Sequence, residues 1–330
     1  MFIDKGFFFN NWIKKNIFQI SFSVLLFLFL PSSSQQIPLH NQYIYNPLII
    51  NPAFAGVSSN STVSLTNKSQ WIGFSEGINT ISLSGNYMLD DNQGIGATLF
   101  QDNTGSIKIT GFEIDYSFKI PFFYDYNISF GLGLVPYQFL YDATQNILSN
   151  GTFNINEQSD PTLINSEKKT SFDANLGIFI YNEFLYAGFS ALNLIQSSTV
   201  PSLDDSKPNQ LVRHFYAILG YNYFNSSSKY GIEQNILMRN SQFTGPQFDF
   251  NIKGSFNELF WLNLGYRTSN EILVGFGIKY DRFGFIYNID INNGQIGNFS
   301  NSSHEFGLVF QINKTSKNFN WARDINLLLK

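Results

Sequence analysis

The chain has 330 residues, a net charge of −4, and 13% Asp, Glu, Lys and Arg against 17% Phe, Trp and Tyr. This near-neutral balance disfavours a nucleic-acid partner, and the absence of cysteine excludes disulfides, thiolate metal ligands and a cysteine nucleophile. A water-soluble domain seldom carries so many large rings with so few charges, and beyond the N-terminus no apolar run reaches the roughly twenty residues of a membrane helix, which leaves the closed β-barrel as the architecture that tolerates lipid.

Residues 1–34 read as a signal peptide. Lys14 and Lys15 supply its positive region, Ile17 to Leu30 its apolar core and Ser32-Ser33-Ser34 a small-residue cleavage pattern, with cleavage expected near Gln35. Pro31 closes the apolar run before it is long enough to span. Residues 35–60 do not alternate as a strand does. Pro38, Pro47 and Pro52 each remove a backbone donor and push the preceding residue toward extended geometry, and the steps Asn46-Pro47 and Asn51-Pro52 are starts of type I turns. The segment is expected to be a turn-rich apolar strap, packed inside a barrel or across its periplasmic mouth, with Tyr43, Tyr45 and Phe54 filling space there.

Residues 61–312 break into segments of about ten residues that alternate with period two, the pattern of an outer-membrane barrel. In "IKITGFEIDYSFKI", Phe112, Ile114, Tyr116 and Phe118 share one face, and Gly111, Glu113, Asp115, Ser117 and Lys119 the other. "EILVGFGIKYD" sets Ile272, Val274, Phe276, Ile278 and Tyr280 against Leu273, Gly275, Gly277, Lys279 and Asp281. "FGFIYNIDIN" sets Phe283, Phe285, Tyr287, Ile289 and Ile291 against Gly284, Asn288, Asp290 and Asn292. Charges on the inner face are expected to be solvated by a hydrated lumen. About fourteen antiparallel strands are expected, beginning near Thr62, Ile78, Gly94, Ile107, Tyr126, Ser171, Phe184, Val212, Lys229, Gln247, Leu259, Glu271, Phe283 and His304. Parity supports this order. The short connections fall at the periplasmic end, and the long segments Asp142 to Thr170, Asn193 to Leu211, Met238 to Pro246 and Asn293 to Ser303 fall at the cell exterior. Residues 313–330 are expected to form a periplasmic tail.

Little in the sequence points to catalysis, so no enzyme activity, cofactor or metal is expected. His304 and Glu305 are neighbours at a strand start and should face opposite sides, and no HExxH spacing exists. Gly94-x-Gly96, Gly131-x-Gly133 and Gly275-x-Gly277 lie within strands, without the helix that would bind phosphate. They read as small residues on the inner face of curved strands. Asp90 to Gly94 and Asp290 to Gly294 have the composition of tight turns.

Three groups of residues resemble the PorP/SprF family, outer-membrane proteins associated with type IX secretion and gliding in Bacteroidetes. The first comprises Gln42, Tyr43, Asn46, Pro47, Asn51, Pro52, Ala53, Phe54, Ala55 and Gly56; the second Gln70, Trp71, Ile72, Gly73 and Phe74; the third Tyr280-Asp281 and Ser303-His304-Glu305. The order is that of the family and spans nearly the whole mature chain. The chain departs at Lys68-Ser69, where the family more often carries Arg-Asn. The resemblance implies a non-enzymatic outer-membrane barrel that binds exported surface proteins, such as gliding adhesins, through their C-terminal domain. It also implies contact with periplasmic secretion or gliding machinery. The connections Asp142 to Thr170 and Asn193 to Leu211 are where cargo contact is expected. The alternative is a pore for small solutes, with Glu113, Asp115, Lys119, Lys253, Lys279 and Asp281 tuning its lumen.

Overall fold

A computed structural model describes residues 41–58, 61–73, 77–123, 125–142, 166–199, 210–225, 229–242, 244–257, 259–294, 297, 300 and 302–312. The expected signal peptide, the head of the strap at 35–40, Phe74, most of both long connections and the tail 313–330 lie outside them. Fourteen strands follow the strap: β1 (Thr62–Ile72), β2 (Ile78–Met88), β3 (Gln93–Thr104), β4 (Ile107–Phe122), β5 (Tyr126–Tyr141), β6 (Glu167–Tyr181) and β7 (Leu185–Leu192), then β8 (His214–Asn225), β9 (Tyr230–Ser241), β10 (Thr244–Phe256), β11 (Phe260–Arg267), β12 (Glu271–Tyr280), β13 (Phe283–Asn292) and β14 (Ser302–Gln311). Each pairs antiparallel with its sequence neighbours, and β14 pairs with β1 to close the barrel. Closure leaves no exposed sheet edge, the condition for crossing lipid with strands. No helix among the described residues is long and apolar enough to cross a membrane.

Period-two alternation divides the wall. Leu308, Leu65, Leu83 and Leu99 lie side by side across β14, β1, β2 and β3, all exposed on the outer face. Beside the short turns this apolar band ends in rings: Phe122, Phe184, Tyr230, Phe256, Phe260, Phe283 and Tyr280, the last 82% exposed. Phe283 packs on Phe310 and Tyr230 on Phe256, each pair at 5.0 Å. An apolar belt edged by an aromatic girdle is the surface a barrel presents to lipid and its interface.

All turns at that girdled end are short, the connections 89–92, 123–125, 182–184, 226–229, 257–259 and 281–282, so it is the periplasmic end. The long connections, 142–166, 193–213 and 293–301, lie at the other. Two expectations are corrected here. Met238 to Pro246 is a tight hairpin and not a long loop: β9 continues to Ser241, and β10 starts at Thr244 with a bulge between Thr244 and Gln247 that accommodates Pro246. Its polar residues Arg239 and Ser241 face inward, so they have the composition of a loop while being strand. The connection placed at Asp142 to Thr170 ends earlier, because Glu167 to Thr170 continue β6 opposite Tyr141 to Gln138.

Candidate functional site

The strap lies inside the barrel. Residues 41–58 form three 3-10 turns, Gln42–Ile44, Pro47–Ile49 and Pro52–Phe54. Each Asn-Pro step starts one: Asn46 and Asn51 stand outside helical geometry at the caps, with Pro47 and Pro52 in the first helical position where no donor is needed. Asn51 Oδ1 also accepts from Ala53 N at 2.9 Å. Ala53 and Ala55 are fully buried, as are most strap side chains. Tyr45 stacks on Trp261 at 4.0 Å and Phe54 meets Phe179 at 3.9 Å. Burial pushes the phenols of Tyr43 and Tyr45 well above their usual pKa, with the nearby carboxylates Asp249 and Glu233 respectively adding to the effect. Both stay neutral, and Tyr43 accepts a 2.6 Å bond from Asn251 Nδ2.

Polar groups around the wall fix the strap. Asn46 Nδ2 donates to Ser84 at 2.6 Å, and Asn51 Nδ2 to the carbonyls of Ile178 and Phe189 at 3.2 and 3.3 Å. Ser129 donates to the Ala53 carbonyl and Lys119 to that of Gly56, at 2.7 and 2.6 Å, while Ser117 and Ser190 bond the carbonyls of Ala55 and Ile50. The wall is bare where the strap backbone comes nearest. A Cβ at Gly94 would collide with Ala55 O and Gly56 Cα, and one at Gly131 with Ala53 N and the Pro52 carbonyl carbon. Gly56 itself has φ +58 where it passes Gly94.

Most lumen charges of β9 to β13 are not solvated as expected; they are buried and paired. Arg267, fully buried, donates from Nε to Asp249 Oδ1 at 2.9 Å, from Nη2 to Asp249 Oδ2 at 3.1 Å and from Nη1 to Glu271. Its Nη1 lies 3.6 Å from Asp290, which also pairs with Lys68 at 3.1 Å. Arg239 holds Asp249 at 2.5 Å, and Lys253 pairs with Glu233. The strap enters this network through Asn41: its Oδ1 accepts from Arg267 at 2.7 Å, its Nδ2 donates to Asp290 and its backbone N–H to Glu305 at 2.9 Å. Charges buried in this way persist when each meets an opposite charge or several donors.

A sequence profile described as the type IX secretion system membrane protein PorP/SprF matches residues 32–310. The chain belongs to this family. It is thus an outer-membrane barrel of the type IX secretion system and works among the components of that machinery. No curated protein matches it in sequence. Among solved structures it is similar to a CymD monoaromatic hydrocarbon channel at 9% identity and TM-score 0.45, covering 86% of this chain and 95% of that one. It is also similar to the toluene transporter TodX of P. putida at 11% and 0.44, covering 86% and 97%, and to a Pseudomonas aeruginosa FadL homologue at 10% and 0.42, covering 86% and 97%.

The PorP/SprF signature residues lie in three places, the first of them the strap itself. At the extracellular end, Trp71 takes φ +57 in a bulge of β1 and donates its backbone N–H to Ser303 Oγ at 3.1 Å. Gln70 is buried, and Gly73 follows with φ +110. Glu305 points inward opposite Lys68, while His304 on the outer face meets the Tyr287 hydroxyl. Gln42 Nε2 donates to the Phe306 carbonyl at 3.2 Å, which ties the strap to the same strand. Tyr280 and Asp281 sit at the other end. Asp281, expected in the lumen, is instead an exposed turn residue with φ +51, as a two-residue hairpin turn requires at its first position.

Sequence reasoning missed Asn41, Arg239, Asp249, Arg267 and Glu271 as members of the ion-pair cluster. The available signal was that the inward-facing charges of β9 to β13 nearly balance in sign. For the strap, Asn51→Ala should destabilise the folded barrel by about 1–2 kcal/mol, because it removes the acceptor of Ala53 N–H and the donor to two buried carbonyls. Asn51→Asp should be at least as damaging, since it sets a carboxylate against those carbonyls. Thermal unfolding in detergent measures both.

Proposed function

We propose that this PorP/SprF barrel is a closed outer-membrane platform that binds an exported surface protein through that protein's C-terminal domain, without covalent chemistry of its own. The observation that carries the reading is the strap: it occupies the lumen from Asn41 to Gly56 and is bonded to strands around the wall. A barrel filled in this way is suited to presenting a surface and unsuited to passing solute. Cargo contact then falls to the extracellular connections between β5 and β6 and between β7 and β8, the longest in the chain. The same machinery supplies the periplasmic partners.

Affinity capture of the tagged chain from mild-detergent extracts of its host, followed by mass spectrometry, should recover a large surface protein, and recovery should require that protein's C-terminal domain. Deleting 143–165 while keeping the barrel should abolish the recovery. Capture of the barrel alone, combined with ion conductance in planar bilayers, would instead favour the solute pore.

A further inference from the structure

Above the strap, on the extracellular side, the lumen holds a cavity of about 240 Å³. Its floor is Ile49 and Ile50. One wall is an apolar cluster of Val135, Tyr137 and Phe139 with Phe100, Ile109 and Leu211, and Glu113 reaches in from β4. A space of this size accepts one large side chain or a small aromatic molecule.

Glu113 does not stand alone. Asp115 is two residues on, on the same face of β4 and fully buried; no nitrogen donor reaches its oxygens, and its carboxyl shares a hydrogen bond with that of Glu113. The strand neighbours of Asp115 are Gly96 on β3 and Gly133 on β5, so no flanking side chain answers it. Both carboxylates converge over Gly133: a Cβ there would lie 2.6 Å from Asp115 Oδ1 and 2.7 Å from Glu113 Oε1. Asn175 donates to Glu113, but among the described residues no salt bridge reaches either acid. The buried acids of β9 to β13 differ, since Glu233, Asp249, Glu271 and Asp290 each face a guanidinium or ammonium group. Arg239, which also lines the cavity, is held by Asp249.

Two adjacent carboxyls without a counter-charge do not both ionise but share a proton, and a cation that settles beside Glu113 stabilises its ionised form. The apolar walls select the kind of cation. A bare ion gains nothing from Val135 or Phe139, whereas an ammonium or guanidinium on an apolar stem buries the stem against them and presents its charge to Glu113. We propose that this cavity binds a cationic group carried on an apolar stem, with Glu113 as its direct partner and Asp115 as the second carboxyl of the pair behind it. The group is either a free amphipathic amine or a Lys or Arg side chain of an exported partner.

Calorimetry of the full-length barrel in detergent tests this with phenethylamine against phenethyl alcohol, which has the same stem without the charge. Phenethylamine should bind at least tenfold more tightly. Glu113→Gln/Asp115→Asn, isosteric and unable to ionise, should abolish the preference, and Gly133→Ala should weaken it by crowding both acids. Equal binding of alcohol and amine, binding of neither, a preference retained in the double variant, or saturation by calcium chloride in place of the amine would overturn the proposal. Capture experiments with the double variant then separate the sources. Loss of the exported partner assigns the cation to that protein, and normal capture assigns it to a free amine. The calorimetric result stands apart from the cargo-binding reading, so either can fail alone.

Discussion

Gly94→Val/Gly131→Val should unseat the strap and turn a closed barrel into a conducting one. At both positions the added side chain would meet backbone, Ala55 O and Gly56 Cα at one and Ala53 N and Pro52 at the other. Backbone cannot rotate aside as a flexible side chain does. Overpacking of this kind costs about 1–3 kcal/mol per site, and the backbone atoms met from β3 and β5 lie a few residues apart on one strap, so the effects converge on residues 52–56. Movement there also removes the carbonyls that accept from Ser117, Lys119 and Ser129. The wall itself should survive, because its ladders close without the strap. In planar bilayers the wild-type barrel should carry no steady current and the double variant should show open-channel steps, with new protease cleavage near residue 50. Gly254→Val is the control: it faces outward with nothing within 4 Å of its added Cβ, and should stay closed. A double variant as closed and protease-resistant as wild type would mean that the strap is not what seals the lumen.

The strands were legible and their partners were not, for a physical reason. Alternation of large apolar with small or polar residues reports which face a side chain occupies, and six of the fourteen strand starts, including Thr62, Ile107 and Glu271, fall where alternation begins. Parity does not report height within the wall. Asp290 reads as an inward-facing position, yet its meeting with Arg267 and Asp249 depends on strand stagger and on Asn41 coming from the strap. The Asn-Pro steps were legible as turns because proline geometry is local. The glycines of β3 and β5 were recognised as inner-face residues, but their purpose at Gly94 and Gly131 is the approach of another segment's backbone, which no local pattern encodes. Met238 to Pro246 reads as a loop for the opposite reason. A polar run with proline has loop composition, and only the buried destination of Arg239 makes it strand.

Arg267→Met should lower the stability of the barrel by about 3–5 kcal/mol, the usual cost of removing one partner from a buried ionic cluster. The loss is expected to be large because Arg267 touches Asp249, Glu271 and Asn41 together, with Asp290 at 3.6 Å. Without it, among the described residues, Glu271 has no cation, Asp249 keeps only Arg239 and Asp290 keeps only Lys68. Arg267→Lys should recover little. A single ammonium cannot hold both oxygens of Asp249 while reaching Glu271 and Asn41, which the planar fork does from three nitrogens. Adding Glu271→Gln to Arg267→Met should recover part of the loss, because the cost then resides in the stranded carboxylate and not in the missing arginine. Arg282→Met, at an exposed periplasmic turn, should change stability by no more than about 1 kcal/mol. Heat-dependent mobility of the folded barrel in detergent gels ranks the four variants. Limited proteolysis adds a second readout, since losing the Arg267 bond to Asn41 should expose the head of the strap first. If Arg267→Met melted like wild type while the strap stayed protected, the cluster would be a bystander, and the glycine contacts and turn bonds alone would hold the strap in place.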